Sequence, residues 1–255
     1  MKWIVIIATT LLCSFASAEY IPIEETSQDR LDDLSKTLSK GTYVKTDDIS
    51  LPLSMAKESN ESSENKDTKV LPEDYARLKI KPAYKDSNVY YDSNKDIYYE
   101  SKKFSDNRVF MIRFLDNPNI AYFSDIYERN LHENWWVVLC YKDKITDKKS
   151  CSIHKYEFIL LKEEDEGVAV SISKELKSLD STKNHFARVD SNPALNTKSL
   201  FTGKKAQTLI HQMKKGSLLR TRFTEWDGEM YEEVIYLGGF SAAYDYMNME
   251  YLKLR

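Results

Sequence analysis

Two apolar runs separated by a short polar interval constrain this chain more than any other feature. Residues 135–141 are WWVVLCY and residues 151–161 are CSIHKYEFILL. Aromatic and β-branched residues suit a pleated, half-buried surface, so both runs are predicted as strands. Residues 142–149, KDKITDKK, are the polar connection of a hairpin. Cys140 ends the first run and Cys151 opens the second, so the hairpin sets the two cysteines opposite one another. A bond between them would close a loop of about a dozen residues, worth roughly 3 kcal/mol on chain-entropy grounds. Free or intermolecular thiols are the alternative.

Whether such a bond forms depends on the compartment, and the chain start speaks to that. Lys2 gives a positive beginning, residues 3–12 are apolar, and Ala16-Ser17-Ala18 is a small-residue cleavage pattern. That order is the signature of a secretory signal peptide over 1–18, and the apolar run is too short to span a bilayer. An uncleaved anchor is the alternative. Cys13 lies in the discarded peptide, which leaves Cys140 and Cys151 as the mature chain's two cysteines. A periplasmic or extracellular setting lets them oxidise. No later segment holds 18 consecutive apolar residues, so no transmembrane segment is expected after cleavage.

Charge divides the rest. Residues 19–75 hold 14 Asp/Glu against 7 Lys/Arg, while 76–255 are mildly basic. Residues 57–69, KESNESSENKDTK, contain no apolar side chain and are predicted as a disordered linker, because nothing there offsets the entropy of ordering. Upstream, Leu31, Leu34 and Leu38 have helical spacing within 24–39. The expected organisation is a signal peptide at 1–18, an acidic leader and linker at 19–75, and a β-rich globular domain at 76–255. The overall balance is not that of a nucleic-acid-binding protein, and no nucleic-acid partner is expected.

Within the domain, NVYYDSNK and DIYYESKK follow each other over 88–103 and form a predicted hairpin whose tyrosines pair across strands. An aromatic ligand-binding surface is the functional alternative. Further strands are predicted over 109–115, 120–123 and 168–173. Ala206, Leu209, Ile210 and Met213 make one helical stripe after a Thr202 cap, with Gly216 as the stop. Two strands follow over 218–226 and 231–237, joined through Asp227-Gly228, and Phe240, Ala243, Tyr244 and Met247 begin a short closing helix. The fold class expected is α+β: a mostly antiparallel β-sheet or sandwich with short C-terminal helices.

Trp136-x-Val138-x-Cys140, then Cys151-x-Ile153, then Gly239-Phe240-Ser241-Ala242-Ala243, resemble the invasion-associated locus B-like proteins of bacterial envelopes over about 134–250. The resemblance implies a secreted or periplasmic β-rich domain with an internal disulfide and no known chemistry. It carries over Cys140 and Cys151 as structural residues and no others. The long N-terminal extension and the polar linker depart from it.

Catalytic templates are not met. There is no G-x-S-x-G elbow, H-E-x-x-H helix, P-loop or C-x-x-C pair. His132, His154, His185 and His211 are scattered, and Cys140, Cys151 and His154 lack zinc-site spacing, so no metal or cofactor is expected. Glu163-Glu164-Asp165-Glu166 is a solvated loop. Arg188 and Asp190 are expected to stabilise a turn before Asn192-Pro193. The candidate binding face is basic and aromatic: Arg220, Arg222 and Trp226 share one parity, hence one strand face. Guanidinium groups beside an indole would bind an acidic partner or a glycan carboxylate. The alternative is a solvated sheet face with arginine stems over apolar surface.

The functional expectation is a secreted or periplasmic, non-enzymatic envelope protein that binds a protein or envelope component. A periplasmic inhibitor or immunity-type protein, and an enzyme with an unrecognised site, are the alternatives.

Overall fold

The structure is a computed structural model that describes residues 67–104, 108–128, 134–165, 167–173 and 179–254. The signal peptide, Cys13, residues 24–39, His132 and nearly all of the 57–69 linker lie outside the described residues. Nine strands run as an antiparallel meander, each pairing with its neighbours in sequence: β1 (Thr68–Val70), β2 (Asn88–Asp92), β3 (Ile97–Lys103), β4 (Val109–Phe114), β5 (Ile120–Asp125), β6 (Trp136–Lys142), β7 (Lys149–Lys155), β8 (Phe158–Glu163) and β9 (Gly167–Ser171). A second antiparallel sheet has the order β11-β10-β12-β13, from β10 (His185–Val189), β11 (Leu195–Thr197), β12 (Leu218–Thr224) and β13 (Met230–Tyr236). Among the described residues the α-helices are α1 (Gly203–Lys215) and α2 (Phe240–Lys253). This is the expected α+β class, mostly antiparallel sheet with two short C-terminal helices. The sheet begins at Thr68, upstream of the expected domain start at residue 76.

Local chemistry explains the hairpins. Asp92 is buried and accepts from the backbone N–H groups of Asn94 and Lys95, which forms the β2–β3 turn. The tyrosines pair as their alternation requires: Tyr90 opposite Tyr99, and Tyr91 opposite Tyr98, with ring centroids 5.4 and 4.9 Å apart. Residues 151–161, expected as one strand, break into β7 and β8. Lys155 pairs with Phe158, so Tyr156 and Glu157 form a two-residue turn, with Tyr156 at a φ of 51°.

One core joins the two sheets and both helices. Met111, Phe123, Trp136, Val138, Ile153, Phe158 and Leu160 project from one face of the large sheet into it. Helix α2 covers that face, with Phe240 5.1 Å from Trp136 and Tyr246 5.3 Å from Phe123, centroid to centroid. The α1 stripe of Ala206, Leu209, Ile210 and Met213 is buried as its spacing predicts. Thr202 is extended at the N-cap, although its side chain makes no capping bond. The opposite face of the large sheet carries a smaller cluster of Tyr99, Ile112 and Trp135, flanked by Tyr90, Phe114 and Tyr122.

Candidate functional site

Strand β12 has strict alternation. Leu219, Thr221 and Phe223 are buried, while Arg220 and Arg222 face outward. The register then fixes their neighbours. Arg220 lies between Arg188 of β10 and Val234 of β13, and Arg222 lies between Phe186 and Glu232. Trp226 is not on the strand, because β12 stops at Thr224; it stands in the following turn and is 59% exposed. Around the arginines the outer face is apolar to an unusual degree: Met230 is 60% exposed, Val234 53% and Tyr236 58%. A strand that buries Ile235 inward would ordinarily place polar side chains outward.

The guanidinium groups differ in commitment. Arg222 Nε donates to Glu232 Oε1 across the strands. Arg188 Nε donates to the Asp190 carbonyl at 3.1 Å. Arg220 makes no side-chain hydrogen bond among the described residues, so its planar donors are available to a ligand. Asp190 works on the turn: its carboxylate accepts from Ser217 N at 3.0 Å and Leu218 N at 2.9 Å, fixing the entry into β12. The face can therefore do what its chemistry allows, which is to pack apolar surface and offer charge-assisted bonds.

Phe186, Arg188, Val234 and Tyr236 were not foreseen as parts of this face. The available signal was in β13, MYEEVIY, which has large apolar residues at both parities. A strand with one solvated face needs only one apolar parity.

The cysteines are at directly opposed positions in β6 and β7. Their sulfurs are bonded, the Cα atoms are 4.1 Å apart, and both side chains are buried on the core face. Other buried polar groups are bonded within the protein. Glu100 is fully buried and accepts from Ala83 N, Tyr84 N, Ser87 Oγ and two Arg113 nitrogens, which pins residues 83–87 to the sheet. Lys155 Nζ donates to Glu128 Oε2 at 2.6 Å and to the Tyr236 carbonyl at 3.0 Å, and stands 5.1 Å from the centre of the Trp136 ring. Burial pushes the Lys155 ammonium below its ordinary value, and burial likewise raises the Glu128 carboxyl against the opposing pull of Lys155. His185 is fully buried, accepts from Thr224 N, and is pushed down chiefly by burial. His154 bonds to Ser152 Oγ and His211 is exposed, so these three histidines do not converge. Among the described residues no group of three or more His, Cys, Asp or Glu side chains is arranged to hold a metal ion. None of their helices is long and apolar enough to cross a membrane.

Comparison with solved structures finds a distant resemblance to the crystal structure of invasion associated protein B from Bartonella henselae. It is 16% identical, spans 46% of this chain and 92% of that one, and has a TM-score of 0.32. At that score it carries no weight in interpreting the site. No protein-family model and no curated protein matches the chain.

Proposed function

We propose that the mature chain, beginning at Glu19 behind the 1–18 signal peptide, is a secreted or periplasmic non-enzymatic envelope protein. It binds a protein partner through the open face of the four-stranded sheet, with Arg220 and Arg222 on the face and Trp226 in the turn at its end. One observation carries this: the face combines outward arginines with exposed Met230, Val234 and Tyr236, with exposed Trp226 in the turn that follows β12, and none of the described helices lies over it. Aromatic residues, methionine and arginine are the types enriched in protein interfaces, and buried arginine and tryptophan supply much of their energy. The disulfide fits an oxidising compartment.

The test compares the mature chain with its Arg220→Glu/Arg222→Glu/Trp226→Ala variant in pull-downs from envelope extract, read by mass spectrometry. A partner recovered by the native chain and lost by an equally stable variant is the expected result. Identical recoveries from both would remove this face as the binding surface.

A further inference from the structure

The free edge of the same sheet is unusually open. The β11 edge is three residues long, as is the β1 edge of the large sheet, and β9 is bridged to Phe201 through Val170. Strand β13 is seven residues long, pairs with β12 without a bulge, and has no partner strand on its other side among the described residues. Its sequence contains no proline and no lysine, the residues that commonly blunt an edge.

The ladder shows which groups face out. Leu237 N donates to the Ser217 carbonyl and Glu225 N to the Glu229 carbonyl, so odd-numbered residues of β13 exchange bonds with β12. Even-numbered residues then direct their backbone groups away. The Tyr236 carbonyl is one of these, and it is the one that Lys155 caps. The N–H and C=O groups of Met230, Glu232 and Val234 have no hydrogen-bond partner among the described residues. Their side chains are exposed on the binding face.

Charge indicates the kind of strand that fits. Residues 224–237 include Glu225, Asp227, Glu229, Glu232 and Glu233 and no Lys or Arg. Arg222 pairs with Glu232. The Tyr231 hydroxyl is held above its ordinary value, first by Glu225, then by burial, Asp227 and Glu229, the acids of the adjoining turn. A second copy of this edge would bring like charges together, whereas a basic strand would neutralise them.

We infer that β13 is a strand-addition site, which takes an extended, lysine- or arginine-bearing segment of a partner protein as a fifth strand beside Met230, Glu232 and Val234. This rests on the four-stranded sheet being the binding face. Backbone pairing would supply affinity and the alternating side chains selectivity.

The probe is a capped peptide of alternating lysine and valine, as long as β13, titrated onto the full mature chain by calorimetry. Its glutamate–valine counterpart is the control. Val234→Pro removes one outward N–H, and an edge strand tolerates proline there. The lysine peptide is expected to bind, to lose roughly tenfold in affinity to Val234→Pro, and to weaken similarly with Glu229→Gln/Glu232→Gln. Hydrogen exchange on the native chain provides a second readout that does not depend on the proline variant folding. The amides of Met230, Glu232 and Val234 should slow when peptide is bound. No binding, preference for the glutamate peptide, or binding with neither slowed exchange nor proline sensitivity would each overturn the inference. A natural partner lost by the Arg220/Arg222/Trp226 variant but kept by Val234→Pro leaves the face intact as the binding surface and removes the edge.

Discussion

Lys155 is a cation with its entire side chain inside the protein, and Glu128 is its counter-ion. A pair of this kind contributes little net stability, because desolvation offsets the attraction, but breaking it leaves an uncompensated charge. Lys155→Met should therefore destabilise by about 3–5 kcal/mol, measured by chemical denaturation. Adding Glu128→Gln should return part of that loss; a double variant as unstable as the sum of the two singles would show that the pair is not coupled. The disulfide is the other buried device. Cys140 and Cys151 face the core, so a lone thiol there gains no solvent contact, while the unfolded chain regains its loop entropy. Cys140→Ser and Cys151→Ser should each lower the melting temperature, with a loss of roughly 2–4 kcal/mol, and the double variant should be no worse than either. Stoichiometric thiol labelling of the native oxidised protein would sink this expectation.

Among the elements, the end of α1 shows a glycine kept for space. Gly216 has a φ of −89°, which any residue adopts. A Cβ built there would stand 2.2 Å from Val189 Cγ1 and 2.8 Å from Asp190 Oδ2. Gly216→Ala should thus cost about 1–3 kcal/mol through overpacking, and the cost should shrink when Val189→Ala makes room. Equal costs in both backgrounds, read from melting curves, would mean that backbone freedom and not crowding is at stake. The sequence marks Gly216 as a helix stop, yet the reason for it is tertiary and invisible there. The same divide runs through the fold. The β2–β3 hairpin is legible because its tyrosines alternate about a polar turn. The break between β7 and β8 is not, since Tyr156 and Glu157 carry no turn signal. Strand β10 is missed because its buried side chains are His185, Ala187 and Val189, a weak apolar alternation. At the candidate site, parity places Arg220 and Arg222 together, but Trp226 leaves the strand, and the exposure of Val234 and Tyr236 depends on what the rest of the chain leaves uncovered.

At the scale of the molecule, both sheets share one main core, besides the smaller Tyr99, Ile112 and Trp135 cluster on the outer face of the large sheet. Helix α2 packs on β5, β6 and β7, α1 packs on β9, β10 and α2, and all contribute to one buried cluster. Two polar contacts cross from the large sheet to the end of β13: Lys155 to the Tyr236 carbonyl, and Trp136 Nε1 to the Gly238 carbonyl at 3.0 Å. Trp136 stands at the meeting point, fully buried, with its indole edge-on to Phe158 and against Phe240. Parts that share one core lose it together, so the described region should unfold in a single cooperative transition. Trp136→Ala should then lower that transition as a whole, by about 3–5 kcal/mol, because the cavity it leaves borders both the large sheet and α2. Far-ultraviolet and near-ultraviolet dichroism should give coincident curves for the native chain and for the variant, and the calorimetric enthalpy should equal the van't Hoff enthalpy. Two resolved transitions in the native chain, or a variant in which only one probe shifts, would mean that the four-stranded sheet is held by contacts of its own. Its binding face would then be presented by an independently folding unit and not by a rigid extension of the common core.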